Sequence, residues 1–257
     1  MIGSLRFARH QISLWRRTWY GSVFSYFVAP ILYLASIGLG LGSLIEGGGR
    51  TAALGGVSYA AFAGTGLMAG SAMQTGAGDM SWPVLGSIKY TRTWLAAIAT
   101  PLDPVDLVGG KILVLLLRLT LSSGVFALSL AVLGLATPLR ALLGIAPAML
   151  TGVAMGVCIF AVAVAAKKDF TLSGVFRFLI TPLFILSGTF FPVDQLPAVA
   201  RPLAVVSPLW HGVELLRLAA LGLPPALPAV MHTAVLMGFV AVGTVISARI
   251  LTRRLKQ

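Results

Sequence analysis

The groups in this 257-residue chain that could do acid–base, nucleophilic or metal chemistry are three histidines, one cysteine and seven acidic residues. His10, His211 and His232 lie far apart, Cys158 stands alone in an apolar stretch, and no spacing matches a zinc site. Glu46, Asp79, Asp103, Asp106, Asp169, Asp194 and Glu214 fall in polar connections or near the ends of apolar runs. A proton- or sodium-coupled carrier keeps a carboxylate deep in the membrane. An intramembrane enzyme gathers polar groups round one cavity. Neither pattern is visible. Gly109-Gly110-Lys111 is the nearest approach to a phosphate-binding loop, but Val105 stands where the first glycine is needed and Ile112 where Ser or Thr is needed. No G-x-S-x-G elbow and no H-E-x-x-H occurs. Arg118 and Arg177 fall within apolar runs. Arg118, two helical turns beyond Lys111, can contact an anionic headgroup, snorkel to the interface, or pair with a neighbouring helix.

The frame that must hold these groups is membrane-like. The chain is 58% hydrophobic and 10% charged, with a mean hydropathy of +0.95, where a soluble domain carries about 25% charge. There are too few charges to build a polar surface and too much apolar content for disorder. An all-α integral membrane protein remains. Nineteen Lys and Arg against seven Asp and Glu give +12. The basic residues flank apolar runs, so they read as topology and anionic-lipid signals, with no nucleic-acid partner.

Residues 2–19 read as an N-terminal amphipathic interfacial helix. Leu5, Ala8, Ile12, Trp15 and Trp19 form its stripe, with Arg6, Arg9, Arg16 and Arg17 mostly off it. Basic residues spread in this way do not read as a signal peptide. Six transmembrane helices follow, at about 22–44, 57–77, 110–135, 140–165, 171–191 and 227–249. Pro182 predicts a kink in the fifth. Residues 78–109 form a polar connection. In 192–226, Ser207 suits a helix cap and Pro208 a first helical position, with Leu209, Val213 and Leu216 as an apolar stripe. Pro197 and Pro202 interrupt the stretch upstream. Each piece is too short to span, which predicts short outer re-entrant helices between spans five and six.

With the N-terminus inside, most basic residues fall in cytoplasmic segments, and only Arg50, Arg140, Arg201 and Arg217 in outer ones. Both termini are therefore expected in the cytoplasm. The G-x-x-x-G pairs Gly38/Gly42, Gly66/Gly70 and Gly152/Gly156 predict close helix packing within the chain.

Three stretches carry a family resemblance. The first is Trp15-Arg16-Arg17 with Ala29-Pro30-Ile31-Leu32-Tyr33-Leu34 and the run from Gly38 to Gly42. The second is Ala69-Gly70-Ser71-Ala72-Met73-Gln74-Thr75, Lys89-Tyr90-Thr91-Arg92-Thr93-Trp94 and Ala99-Thr100-Pro101-Leu102. The third is Ser187-Gly188-Thr189-Phe190-Phe191-Pro192, Leu196-Pro197 and the run from Ser207-Pro208-Leu209-Trp210-His211 to Arg217. Together, over nearly the whole chain, they resemble the type-2 ABC exporter permeases, in particular the nodulation-protein-J and daunorubicin-exporter branch. The third stretch is the most specific.

The resemblance implies a single permease domain over 1–257 in a bacterial cytoplasmic (inner) membrane. It would pair with a second permease copy, and each copy would dock a separate P-loop ATPase that holds ATP and Mg. No cofactor is expected on this chain, and it is not expected to be an enzyme itself. The implied function is ATP-driven export of an amphiphilic or lipid-linked substrate: lipid, lipo-oligosaccharide, polysaccharide or drug. A membrane-embedded lipid-modifying enzyme and a gradient-driven carrier are the alternatives. On this resemblance 78–109 is a cytoplasmic coupling loop, with Arg92, Thr93, Trp94, Thr100, Pro101 and Asp103 facing the ATPase and the N-terminal helix as a second contact. Substrate would pass between the copies and leave under the outer helices, past Phe190, Phe191, Trp210 and His211, with Arg118 a further path candidate. Family members often carry an acidic residue after the Arg-Thr-aromatic triplet. Leu95 stands there instead, and on this resemblance one polar contact to the ATPase would be lost or replaced.

Overall fold

A chain this apolar has to satisfy its backbone polar groups internally, and the helix does so within each segment. The computed structural model describes residues 2–36 and 54–255, except for the side chains of 18–27, 29 and 30. Among the described residues there is no strand. Helix α1 covers Ile2–Ser36, α2 Tyr59–Asp79, α3 Trp82–Lys89, α4 Thr93–Ile98, α5 Pro104–Val132, α6 Pro138–Leu143 and α7 Ile145–Ala165. Helix α8 covers Asp169–Leu186, and α9 Arg201–Val206, α10 Pro208–Leu221 and α11 Ala229–Leu255 complete the order. Local chemistry sets the ends. The Ser58 hydroxyl accepts from the Ala61 N–H at 3.2 Å and opens α2. Pro104 and Pro208 sit in the first turns of α5 and α10. Gly222, at φ 74°, closes α10 in the left-handed conformation that glycine takes most easily.

Helix α7 is the centre of the bundle and packs on α2, α5, α10 and α11. Ala148, Val157, Phe160 and Ala163 are fully buried along it. Glycine lets α2 and α7 meet backbone to backbone. A Cβ at Gly76 would overlap the Gly152 carbonyl, and one at Gly152 would lie 2.7 Å from the Ala72 carbonyl. Gly66 faces the Thr189 backbone and Gly70 the Phe184 ring. The described G-x-x-x-G pairs are thus consumed inside the chain. Gly38/Gly42, Arg50 and Glu46 lie outside the described residues.

Helix α1 runs parallel to α5. Gly3 and Ser4 lie against Asp106, Gly109 and Gly110 at one end. Leu34 and Leu130 both border Gly64 at the other. The boundary expected between an interfacial helix at 2–19 and a span at 22–44 is absent, because α1 continues unbroken. Gly21 is the only helix-weakening residue at that boundary, and one glycine costs about 1 kcal/mol, too little to end a packed helix. At 35 residues the helix is about 52 Å long, more than the ~30 Å hydrocarbon thickness of a bilayer. Its packed face also shifts: Phe7 and Ala8 are buried, whereas Leu5 is exposed.

Among the described residues, four stretches are long and apolar enough to cross a membrane: Pro104–Val132, Pro138–Ala165, Asp169–Leu186 and Ala229–Leu255. Helix α2 has spanning length but is rich in Gly, Ala, Ser and Thr, and most of its residues are buried. A helix enclosed by other helices needs small side chains for close approach more than it needs hydrophobicity. The expected kink in α8 takes the form of a π turn over Phe176–Ile180, just before Pro182. The Thr181 hydroxyl donates to the Phe176 carbonyl at 3.0 Å across it. Only 11% of α8 is buried, against 67% of an 18-residue stretch within Pro138–Ala165. Its neighbours are α3 at one end and α9 at the other, with the Gly70–Phe184 contact between.

Gly76→Val places a side chain against the Gly152 carbonyl. It should destabilise the bundle by about 1–3 kcal/mol, the usual weight of overpacking. Gly78→Ala, where nothing lies within 4 Å, should be nearly neutral. Detergent thermal-shift midpoints of the two variants check this.

Candidate functional sites at the two ends of the bundle

The end that holds the α1 N-terminus also gathers α3, α4, the start of α5, the end of α7 and the end of α11. The Ser4 hydroxyl donates to Asp106 Oδ1 at 2.9 Å, and the Asp103 N–H points to Asp106 Oδ2 at 3.4 Å. Asp106 thereby closes the first turn of α5 and fastens α1 to it. Arg254 donates to the Val164 carbonyl, and to the Ala166 carbonyl at 2.9 Å, which ties α11 to the C-terminal end of α7. Most of the described basic residues in loops and helix ends lie here, among them Arg6, Arg9, Lys89, Arg92, Lys167 and Arg253.

A groove of about 580 Å³ opens between α1 and the α3–α4 unit. Arg6, His10 and Gln11 line one wall, and Ser87, Thr93 and Thr100 the other. Of the residues expected to face an ATPase, Thr93 and Thr100 line the groove, while Arg92, Pro101 and Asp103 are exposed beside it. Arg92 caps α4 with φ 50° and is the only non-glycine residue with positive φ among the described residues. That conformation costs a side-chain-bearing residue about 1–2 kcal/mol. Trp94 differs from its expected role. It is 1% exposed, with its ring edge-on to Phe7 at 5.9 Å and to Phe160 at 5.8 Å. It forms the floor of the groove as a core residue joining α4, α1 and α7. The first turn of α4 puts Trp94 inward while Thr93 faces out, and composition alone cannot tell these adjacent positions apart.

Helix α3 also grips α8. Asp169 accepts from the Tyr90 hydroxyl and pairs with the Lys89 ammonium at 3.4 Å. Trp82 packs on Phe176 with ring centroids 4.7 Å apart. The Tyr90 hydroxyl first, and the Asp169 carboxylate with it, hold the Lys89 ammonium above the usual lysine range.

Arg118 is ion-paired with Asp79, and its guanidinium lies 5.5 Å from the Trp15 ring centre. The Lys111 side chain is buried near the same pair. Asp79 was expected at a helix end, and it is one, but it meets α5 four turns in, so a carboxylate does reach the interior. Arg118 compensates it through Asp79 Oδ1, while Oδ2 is buried with no hydrogen-bond partner.

The opposite end holds the remaining path candidates. Phe190, half-buried, packs edge-on to Phe184 at 5.5 Å. Phe191 is half-buried next to it. His211 is not a lining residue: it is buried, with its Nδ1 2.8 Å from His232 Nδ1. Trp210 packs on both imidazoles at about 5 Å and borders a cavity of about 520 Å³. The Ser207 hydroxyl, as cap of α10, accepts from the Leu209 N–H at 3.2 Å and bonds the Ser187 hydroxyl at 2.8 Å. Asp194, Arg201, Glu214 and Arg217 also line the cavity. Their i,i+3 and i,i+7 spacings were legible, but nothing in sequence shows that these two segments fold over one space. The candidate path residues are therefore not brought together: Arg118 lies midway along α5 beside Asp79 and Trp15, and the aromatics at the far end.

Removing one member of the buried pair should be costly. Asp79→Asn alone leaves Arg118 uncompensated and should destabilise by about 3–5 kcal/mol, whereas Asp79→Asn with Arg118→Met should recover most of it. Thermal unfolding of both variants measures the difference.

The chain matches the model of the ABC-2 type transporter family over residues 5–221. It is 31% identical to nodulation protein J of Rhizobium leguminosarum bv. viciae, over 96% of this chain and 93% of that protein. It is 30% identical to nodulation protein J of Sinorhizobium fredii, over 96% and 92%. For the Rhizobium meliloti protein of the same name the identity is 28%, over 96% and 92%. Built as an all-helical chain with several membrane-crossing stretches and matched from its first helix to the end of α10, this protein belongs to the ABC-2 type transporter family, as a multi-pass membrane subunit.

Proposed function

We propose that the chain is the permease of an ATP-driven exporter in a bacterial cytoplasmic membrane, moving an amphiphilic or lipid-linked substrate. A separate P-loop ATPase supplies hydrolysis and holds ATP and Mg, and a second permease copy completes the path. Six spans, formed by α1, α2, α5, α6–α7, α8 and α11, put both termini on the cytoplasmic side. The gathering of basic residues at the α1 end supports that orientation. The observation that carries the reading is the groove between α1 and α3–α4. It joins the two elements expected to meet an ATPase into one concave surface at the basic end of the bundle.

The route from that surface follows from the contacts of α8. Motion of α3 reaches α8 through Asp169 and Phe176. Helix α8 is little packed along its length, and its far end adjoins α9 and, through Ser187, the cap of α10. A displacement at the groove is therefore delivered to the outer helices, while the α2–α7 core stays fixed. The gradient-driven alternative is disfavoured by the pairing of Asp79 with Arg118.

In reconstituted permease–ATPase complex, Arg92→Gly removes the guanidinium and relaxes the backbone. It should lower substrate-stimulated ATP turnover about five- to tenfold, the weight of ~1–1.4 kcal/mol. Unchanged turnover would count against this surface. Asp169→Asn should leave turnover largely intact and reduce substrate moved per ATP, because it loosens α3 from α8. Parallel hydrolysis and vesicle-transport assays separate the two effects.

A further inference from the structure

The cavity at the far end has chemistry that the export reading does not use. Its walls are largely apolar, with Leu54, Phe62, Val205 and Leu227 among them, and charges of both signs line it. Arg217 is 5% exposed. Its guanidinium lies over the Phe62 ring at 3.5 Å, and Nη2 donates to the Gly188 carbonyl at 2.6 Å. Nε is buried with no hydrogen-bond partner. Nη1 lies 3.9 Å from Glu214 Oε1, beyond hydrogen-bond reach. Glu214 holds the far wall by accepting from the Ala226 N–H at 2.8 Å, through Oε2. Arg201 already donates to the Leu196 and Asp194 carbonyls. Arg217 is thus only partly satisfied, with one donor unpartnered and a long ion pair to Glu214, and it lines the cavity together with Glu214, Asp194 and Arg201.

Arg201 and Val205 of α9 and Leu227, just before α11, line the cavity. The same two elements expose an apolar rim of side chains: Val199, Leu203 and Val206 at α9, and Val230 and Met231 at the start of α11. An exposed apolar surface of this kind suits hydrocarbon.

We propose that this cavity is a headgroup site for a zwitterionic aminophospholipid in the leaflet away from the α1 N-terminus. The phosphate accepts from the Arg217 guanidinium, and the primary ammonium donates to Glu214 and Asp194. The acyl chains lie along the apolar rim. An anionic head meets two carboxylates, a purely cationic one meets two guanidiniums, and a neutral polyol leaves both signs unmatched. Binding needs no ATP and does not depend on the transport reading.

The test uses purified full-length chain equilibrated with equal amounts of phosphatidylethanolamine, phosphatidylcholine, phosphatidylglycerol and a monoglucosyl diacylglycerol. Retained lipid is counted by native mass spectrometry. Phosphatidylethanolamine should be retained on the order of tenfold over the other three, the lower end for one charge-assisted hydrogen bond. Phosphatidylcholine carries the same charges without N–H donors and should lose that advantage. Glu214→Gln and Asp194→Asn should each erode the preference. Asp194 is exposed, so its variant carries the test should Glu214→Gln fail to fold. Equal retention of all four lipids, a preference for the glycolipid or phosphatidylglycerol, or an Asp194→Asn variant with undiminished preference would overturn the assignment.

Discussion

Backbone contact between α2 and α7 is the constraint on which the rest of the bundle depends. Between helices in lipid there is no hydrophobic drive of the kind that collapses a soluble core, so association rests on close van der Waals approach. Gly76 and Gly152 allow that approach, and Gly156 extends it toward Leu115 of α5. With α2 and α7 fixed, α5, α10 and α11 take the remaining faces of α7, and α1 lies along α5. No face of α7 is left for α8. That helix stays at the periphery, with contacts to α3 at one end and α9 at the other.

The two ends of the bundle are built differently. At the α1 end, charge is used to fasten elements: Ser4 to Asp106, Lys89 and Tyr90 to Asp169, Arg254 to the last carbonyls of α7. Each joins two different helices: α1 to α5, α3 to α8, and α11 to α7. At the far end, charge of both signs surrounds an open cavity, with Arg217 only partly satisfied. Buried polar groups left short of partners are costly, and a ligand that completes them recovers that cost.

Much of this was legible in the sequence. Ser207-Pro208 marked the start of α10, and the stripe Leu209, Val213 and Leu216 is its buried face. Other features were illegible for physical reasons. The stretch 2–36 mixes arginines with apolar residues and looks like two elements, but neither glycine nor charge is strong enough to end a helix that packs along α5. Trp94 lies among exposed residues in a polar stretch, and only the turn of α4 decides that it points inward. Asp79 and Arg118 are 39 positions apart, and nothing in their local sequence announces a pair. The distal cavity depends on the loop after α8 folding over α10, a long-range event with no periodic signature.

The claim that joins these observations is that a separate ATPase docks in the groove between α1 and α3–α4. The most direct measurement installs a photo-crosslinking side chain at Thr93 in the groove, or at Leu203 at the far end, and purifies the native complex in mild detergent after illumination. The account predicts a P-loop ATPase in equal amounts with the permease, crosslinked from Thr93 and not from Leu203. Purification of the chain without any ATPase, or crosslinking from Leu203 alone, would contradict it.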